Sequence, residues 1–486
     1  MQDHAEISGP AEQAAVERFL SRAENYSLPG APVERIETHC SLIFLVGEHA
    51  FKLKRAIVFS SLDYRTVAQR ERACRAEIAL NQGAAPDIYL GVRAINRGPD
   101  GTLAFDGPGP AVDWVVVMRR FAQENLFSAM AETGRLTPEL MRQLGAEIAR
   151  LHQAAVITPG FGGCAGIEAA IENNRRELLR VGHLLDGAGL DALHAQTAAE
   201  FLRVAGLLDQ RRALGRVRRC HGDLRLANIC LFNGRPTLFD SIEFSDDIGC
   251  IDVLYDLAFL LMDLLVGGMT DLANEVFNSY LDHTGETAGL RALPLFLAVR
   301  AATRSYALAG GATRHPDRAA AQLAAARAHL HASVFFLRPA PPRLLVVADR
   351  QGGAQGGPAA DFSASLAPRL RPVPGARLLR ITMPDATDRI FAETVSVLAA
   401  GCTVLVQGDF SAARERQAVA AVARATQVPF LGLWLDAPPA DLERGLWHCL
   451  PPGAGAPAAV EMAELLLTSI NARPGETWHE RKSDVP

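Results

Sequence analysis

The chain has 486 residues, enough for several compact units, and with 49% apolar and 21% charged residues it is neither a disordered nor a collagen-like polymer. Its 49 basic and 54 acidic side chains leave a net charge of −5, which gives no global attraction for nucleic acid. MQDHAEISGPAEQAAVERFL lacks a basic leader with an apolar core, and the most apolar stretch, Val253 to Met269, carries Asp256 and Asp263; the expectation is a cytoplasmic protein without a membrane span.

Residues 1–34 read as a helical extension. From Ser41 to Lys54 two β-rich runs flank a Gly47-Glu48 turn, so that Lys52 and Lys54 share one face of the second strand. A charged helix is predicted over 66–82, and Val115 to Met118 form a buried strand running into Arg119-Arg120-Phe121. Thr137-Pro138 opens a helix whose Leu140, Leu144, Ile148 and Leu151 keep one apolar face. Helix continues over 167–214 until RRCHGDLRLANICLFNGRPTLFDSIEF interrupts it. Within that segment the runs 229–232 and 237–239 flank Asn233-Gly234, a strong hairpin signal. Helices resume at 252–265 and 293–337, and Arg338-Pro339-Ala340-Pro341-Pro342 ends them. Beyond lie a strand at 343–348, a glycine-rich loop at 352–358 and a helix from Ala359. Strands at 403–407 and 429–435 then alternate with helices at 389–400 and 412–425, the order of a parallel α/β sheet. Residues 451–486, rich in Pro and Gly with a polar end, read as a flexible tail.

Eight cysteines are scattered without a C-x-x-C pair or zinc-type spacing, so they read as thiols in a reducing compartment, with no metal cage built of His and Cys alone. Lysine occurs only at Lys52, Lys54 and Lys482; the other 46 basic residues are arginine. Lysine is a compact point charge and arginine a planar fork, so two lysines two residues apart suggest a site that needs the point charge, such as a grip on phosphate.

His221-Gly222-Asp223-Leu224-Arg225-Leu226-Ala227-Asn228 sets an Asp five residues before an Asn just ahead of a strand, and Asp240 follows the next hairpin. Phosphoryl transfer needs a carboxylate on the acceptor hydroxyl, oxygen ligands for Mg²⁺ and a cation on the nucleotide phosphates. Asp223, Asn228, Asp240 and one of the two lysines supply that set.

HGDLRLAN with FDSIEF resembles the aminoglycoside phosphotransferase and choline kinase family. With AFKLKR, VMRRFAQENL and the longer LFDSIEFSDDIGCIDVLYDLAFLLMDL, the chain is similar to bacterial two-domain proteins that fuse such a domain to a P-loop kinase-like one. The resemblance implies an α+β protein-kinase-like bilobal domain at 35–338, with lobes at about 35–121 and about 122–338, followed by an α/β parallel-sheet P-loop-like domain at 343–450. It implies ATP and Mg²⁺ as cofactors and a small hydroxylated molecule as acceptor, with no nucleic acid or membrane partner. Asp223 would be the catalytic base; Asn228 and Asp240 would hold Mg²⁺, and Glu243 would assist the metal or order the loop. Lys54 is the first choice for the phosphate lysine and Lys52 the second. Glu77 would pair with that lysine, with Glu71 as rival, and Met118 and Arg119 would form the hinge that meets adenine. Asp256 would hydrogen-bond the catalytic loop from below. Asp246 and Asp247 either attract a cationic substrate or form a solvated turn. The alternative to an enzyme is a nucleotide-binding scaffold.

A P-loop reads G-x-x-x-x-G-K-[ST], whose lysine neutralises phosphate. Here Gly352-Gly353-Ala354-Gln355-Gly356-Gly357 runs into Pro358-Ala359, and the later strand carries Gln407, with Asp409 displaced, where an acidic Mg²⁺ ligand belongs. The second domain is therefore expected to keep its fold without kinase activity.

Overall fold

The structure, a computed structural model, describes residues 10–59, 62–314, 316–338, 340–349, 358–382, 386–435, 438–442, 446–450, 460–463 and 465–466. The chain divides into two compact units: Met1–Leu136 with Arg150–Ile167 and Gln210–Leu260, and Thr137–Ala149 with Glu168–Asp209 and Leu261–Pro486. No helix among the described residues is long and apolar enough to cross a membrane.

The first unit begins with α1 (Pro10–Leu20), followed by β1 (Val33–Glu37), β2 (Ser41–Val46), β3 (His49–Lys54), and the short ribbon β4 (Val58–Phe59) and β5 (Leu62–Asp63). Helix α2 (Val67–Asn81) comes next, then β6 (Tyr89–Arg97), β7 (Leu103–Phe105), β8 (Ala111–Arg119) and α3 (Phe127–Glu132). A six-stranded antiparallel sheet runs in the order β1-β2-β3-β8-β6-β7. Alternation along β3 sends Phe51 and Leu53 into a core with Val16, Phe19 and Leu20 of α1. Ala50 packs on the opposite face with Cys74 of α2 and Tyr89, and Lys52 and Lys54 share that face. Helix α2 starts at a complete capping box in which the Thr66 hydroxyl accepts from Gln69 N and the Gln69 side chain accepts from Thr66 N.

The chain leaves and re-enters this unit within α4 (Pro138–Ala154), α5 (Gly163–Val181) and α6 (Gly187–Ala213). It then forms β9 (Val217–Arg219), the hairpin β10 (Ile229–Phe232) and β11 (Arg235–Leu238), the single turn α7 (Asp246–Gly249), β12 (Cys250–Asp252) and α8 (Val253–Val266). Asn233 and Gly234 turn the hairpin at φ 50° and 74°, the left-handed pair that a two-residue connection requires. Two buried ion pairs brace the unit: Arg70 Nε to Asp113 Oδ1 at 2.7 Å and Arg211 Nε to Asp252 Oδ2 at 2.7 Å.

The second unit holds α9 (Thr270–Thr284) and the antiparallel pair α10 (Leu293–Arg314) and α11 (Ala319–Phe336). It continues with β13 (Leu344–Ala348), α12 (Pro358–Leu366), β14 (Arg377–Arg380), α13 (Thr387–Ala399), β15 (Val404–Gly408), α14 (Ala413–Thr426), β16 (Phe430–Trp434) and β17 (Trp447–Cys449). All four pairings of its sheet, ordered β14-β15-β13-β16-β17, are parallel, as the strand and helix alternation predicts. Edge strand β14 and its approach are fastened to α9. Asn278 Oδ1 accepts from Leu378 N at 2.8 Å, and Asn274 Nδ2 donates to the Pro374 and Ala376 carbonyls at 3.0 and 3.1 Å. Arg377 is held by Asp282 at 2.6 Å and Glu393 at 2.8 Å. The glycine-rich loop before Pro358 and most of the expected C-terminal tail lie outside the described residues.

Candidate active site

The loop over residues 221–228 is built on Asp256, fully buried in the first turn of α8, whose carboxylate accepts from His221 N at 3.1 Å and Gly222 N at 2.9 Å. His152 Nε2 lies 3.2 Å from the same carboxylate. Gly222 sits at φ +85°, and a Cβ there would come within 3.1 Å of both Ile242 Cγ1 and Ile248 O. Backbone conformation and space therefore both call for glycine at this point of the loop. His221 Nε2 donates to Phe239 O at 2.9 Å, and Asn228 O accepts from Phe239 N at 3.1 Å. The hairpin thus brings Asn228 alongside the Phe239-Asp240 peptide.

Asp223 receives three charged or polar donors. Arg225 forks onto it, Nε to Oδ1 at 2.7 Å and Nη2 to Oδ2 at 2.9 Å, and Asn228 Nδ2 donates to Oδ2 and to the Asp223 carbonyl, each at 2.8 Å. The Arg225 guanidinium also lies over the Phe259 ring, 5.6 Å from its centroid. Asp240 takes a left-handed backbone at φ 65°, with its N–H given to the Tyr89 hydroxyl at 3.0 Å, and Ser241 N donates to Asn81 Oδ1 at 2.9 Å. These contacts aim the partly exposed Asp240 side chain at Lys52.

Both lysines are buried and both reach Glu77. Lys52 Nζ donates to Glu77 Oε1 at 2.8 Å and also to Asp240; Lys54 Nζ forms ion pairs with Glu77 Oε2 and with Glu243. Glu243 further accepts from the Tyr64 hydroxyl at 2.5 Å. Burial opposes the Lys52 charge, but Asp240 and Glu77 outweigh it and hold the ammonium protonated well above its ordinary range. Burial likewise opposes ionisation of Glu77, and the two lysines overcome it and keep its carboxyl below the usual range. Glu71 lies on the surface of α2 against Arg75. Met118 packs with Ala50 and Tyr89, while Arg119 points to solvent and gives its N–H to Ile88 O at 2.8 Å. Asp246 pairs with Arg219 at 2.6 Å, so its charge is partly neutralised within the turn.

Asn228 turns its nitrogen to Asp223 and so has an oxygen to offer a cation, and Asp240 presents a carboxylate. Two hard oxygen donors side by side at the open end of one hairpin suit Mg²⁺ better than a thiol- or imidazole-seeking metal. A second group, His152, Cys220 and Asp256, lies buried, but Asp256 there already accepts the His221 and Gly222 amides. In the second unit, Gln407 is buried in β15 and accepts from Arg380 Nε at 3.3 Å, while Asp409 is exposed and bonded to Ser411.

An antiparallel sheet with a lysine paired to the following helix, succeeded by an H-G-D loop and a hairpin ending in Asp, is the order of parts of a protein-kinase-like fold. Residues 68–296 match the model of the phosphotransferase enzyme family. An uncharacterised protein of Mycobacterium tuberculosis is 29% identical over 334 residues, 65% of this chain and 62% of its own, and its Mycobacterium bovis counterpart matches equally. The chain thus spans 62% of the length of the curated relatives it matches. Among solved structures, a choline/ethanolamine kinase family protein from Mesorhizobium loti is 17% identical with a TM-score of 0.40, covering 67% of this chain and 99% of its own. A thermostable mutant of an aminoglycoside phosphotransferase is 18% identical at a TM-score of 0.41, covering 65% and 98%. Plasmodium vivax ethanolamine kinase is 12% identical at 0.38, covering 68% and 96%.

Proposed function

We propose that the first domain is an ATP- and Mg²⁺-dependent kinase that phosphorylates a hydroxyl group of a small molecule. The observation that carries this reading is the buried Lys52–Glu77 pair ending on Asp240, with Asn228 and Asp223 hydrogen-bonded to each other beside it at the same open end of the hairpin. In the proposed reaction Asp223 orients the acceptor and takes its proton as the acceptor oxygen bonds to the γ-phosphorus, and the bond from that phosphorus to the bridging oxygen breaks to release ADP. Lys52, which reaches Asp240, is now preferred over Lys54 as the cation on the phosphates. Asn228 and Asp240 would hold Mg²⁺, which when bound offsets charge on the transferring group. Met118 and Arg119 remain the proposed hinge, and the compartment is proposed to be the reducing cytoplasm.

The reading is tested by ATP consumption against a panel of alcohols, amino sugars and small hydroxylated metabolites. One acceptor should stimulate turnover, and Asp223→Ala should lower it by about 10²-fold or more while nucleotide binding persists. Equal turnover by Asp223→Ala sinks the assignment. One feature favours the scaffold alternative: Arg225 occupies both oxygens of Asp223. Tight nucleotide binding with no acceptor-stimulated turnover would support it.

For the C-terminal domain we propose a P-loop-like fold without kinase activity. Pro358 offers no amide donor at the start of α12, and Gln407 stands where a magnesium carboxylate would be needed.

A further inference from the structure

Two lysines share one glutamate on the same strand face, yet their remaining partners differ. Lys52 reaches Asp240, whose side chain is 43% exposed, whereas Lys54 reaches Glu243, whose side chain is 5% exposed. Every partner of the Lys54 ammonium is buried: Glu77, Glu243 and the Tyr64 ring, whose centroid lies 5.5 Å away. Its backbone is fixed as well. Gln13 of α1 donates to Lys54 O at 3.0 Å and to Asp113 at 3.3 Å, and Asp113 pairs with Arg70, which donates to the Tyr64 carbonyl at 2.9 Å.

We infer that Lys54 is a positioning residue: an inner counter-ion that ties α2, through Glu77, and the segment after the catalytic hairpin, through Glu243, to strand β3, holding Lys52 and Asp240 in register without touching nucleotide. This deepens the proposed kinase reading and rests on it for the task of Lys52.

The charge arrangement gives the reason. Asp240 faces solvent and can exchange its contact with Lys52 for another partner, so Lys52 can be released toward a phosphate. Glu77 would then be left without a counter-charge in a fully buried place, unless a second cation stays with it. Lys54 is that cation, and Glu243 balances the positive charge it brings. Of the two roles the resemblance implies for Glu243, assisting the metal or ordering the loop, its engagement by Lys54 and Tyr64 fits the second, as part of this strap. A compact ammonium can serve Glu77, Glu243 and the Tyr64 ring from one point where a planar guanidinium cannot, which accounts for lysine surviving here in so arginine-rich a chain.

The test uses the full chain, thermal melting, and the fluorescent nucleotide TNP-ATP with Mg²⁺. Lys54→Met should lower the melting temperature by about 10 °C, and adding Glu243→Gln should recover at least half of the loss, since the second change removes the anion left unpaired. Additive losses would overturn the strap. Binding of TNP-ATP, measured well below melting, should weaken about tenfold in Lys52→Met but stay within about threefold in Lys54→Met. Equal weakening in the two would overturn the proposal, as would a tenfold loss of magnesium dependence in Glu243→Gln, a variant that leaves both lysines in place. Labelling with 5′-fluorosulfonylbenzoyl adenosine should modify Lys52, and more slowly in Lys54→Met; modification of Lys54 itself refutes the assignment. If the wild-type chain binds no TNP-ATP, the kinase reading falls, and the strap is then decided by the melting-temperature coupling alone.

Discussion

Strand β3 of the antiparallel sheet and strand β13 of the parallel sheet both lie inside their sheets, flanked by a strand on each side, but they handle charge differently. Strand β3 alternates, with one face packed on α1 through Phe51 and Leu53 and the other carrying two ammonium groups toward α2. Strand β13 is covered on both faces, reads Leu-Leu-Val-Val-Ala, and meets its first charge, Asp349, only past its carboxyl end. The contrast teaches where each sheet can do chemistry: the first within the strand, because a helix supplies a counter-charge at helical spacing, and the second only in the loops beyond its strands.

The largest way to break this contrast is Lys52→Met, which should lower acceptor-stimulated ATP consumption by about 10²-fold or more. If the chain turned over equally well without it, the strand would be no more chemical than β13. Glu77→Gln comes next. It leaves two buried ammoniums with less compensation and should cost about 3–5 kcal/mol of stability in urea unfolding. In the parallel sheet the vulnerable point is steric instead. A Cβ at Gly432 would stand 2.4 Å from the Trp447 ring, so Gly432→Ala should cost about 1–3 kcal/mol while leaving TNP-ATP binding by the first unit unchanged. The smallest effect concerns thiols. Burial pushes Cys74, Cys230 and Cys402 from 9.0 up to about 12. The folded chain therefore keeps protons that the unfolded chain releases, and this contribution to stability is present below pH 9 and lost as pH rises from 9 toward 12. Iodoacetamide at pH 8 should accordingly modify the exposed Cys449 well before these three, and early loss of the Cys74 thiol would contradict its burial.

Local rules were legible where backbone chemistry is local. Asn233-Gly234 could only turn a tight hairpin, the charged run over 66–82 gave α2 at Val67–Asn81, and the alternation beyond Arg343 announced a parallel sheet. Strand β14, Arg-Leu-Leu-Arg, and strand β17, Trp-His-Cys, were missed because each is too short to display a period and is held by its neighbours. The helical run expected over 293–337 is divided into two helices, α10 and α11, by a break that alanine-rich sequence on both sides hides. At the site, residue types and their order were readable, and the resemblance implied the Glu77–lysine pair and the Asp256 contact with the loop, but which lysine meets Asp240 was not readable. Lys52 and Lys54 are equivalent by alternation, and only Asp240 and Glu243, nearly two hundred residues later, distinguish them. Tyr64, Tyr89, Asn81 and Arg225 carried no local signal, because their roles depend on what tertiary packing sets opposite them.

The asparagines of α9 have a consequence of their own. The outer border of a β-sheet normally offers amides and carbonyls to any passing chain, an invitation to intermolecular ribbon growth. With Leu378 N and the Ala376 carbonyl answered by Asn278 and Asn274, two of the groups along the β14 border are withdrawn from recruitment, so these side chains hinder self-association as well as fasten the strand.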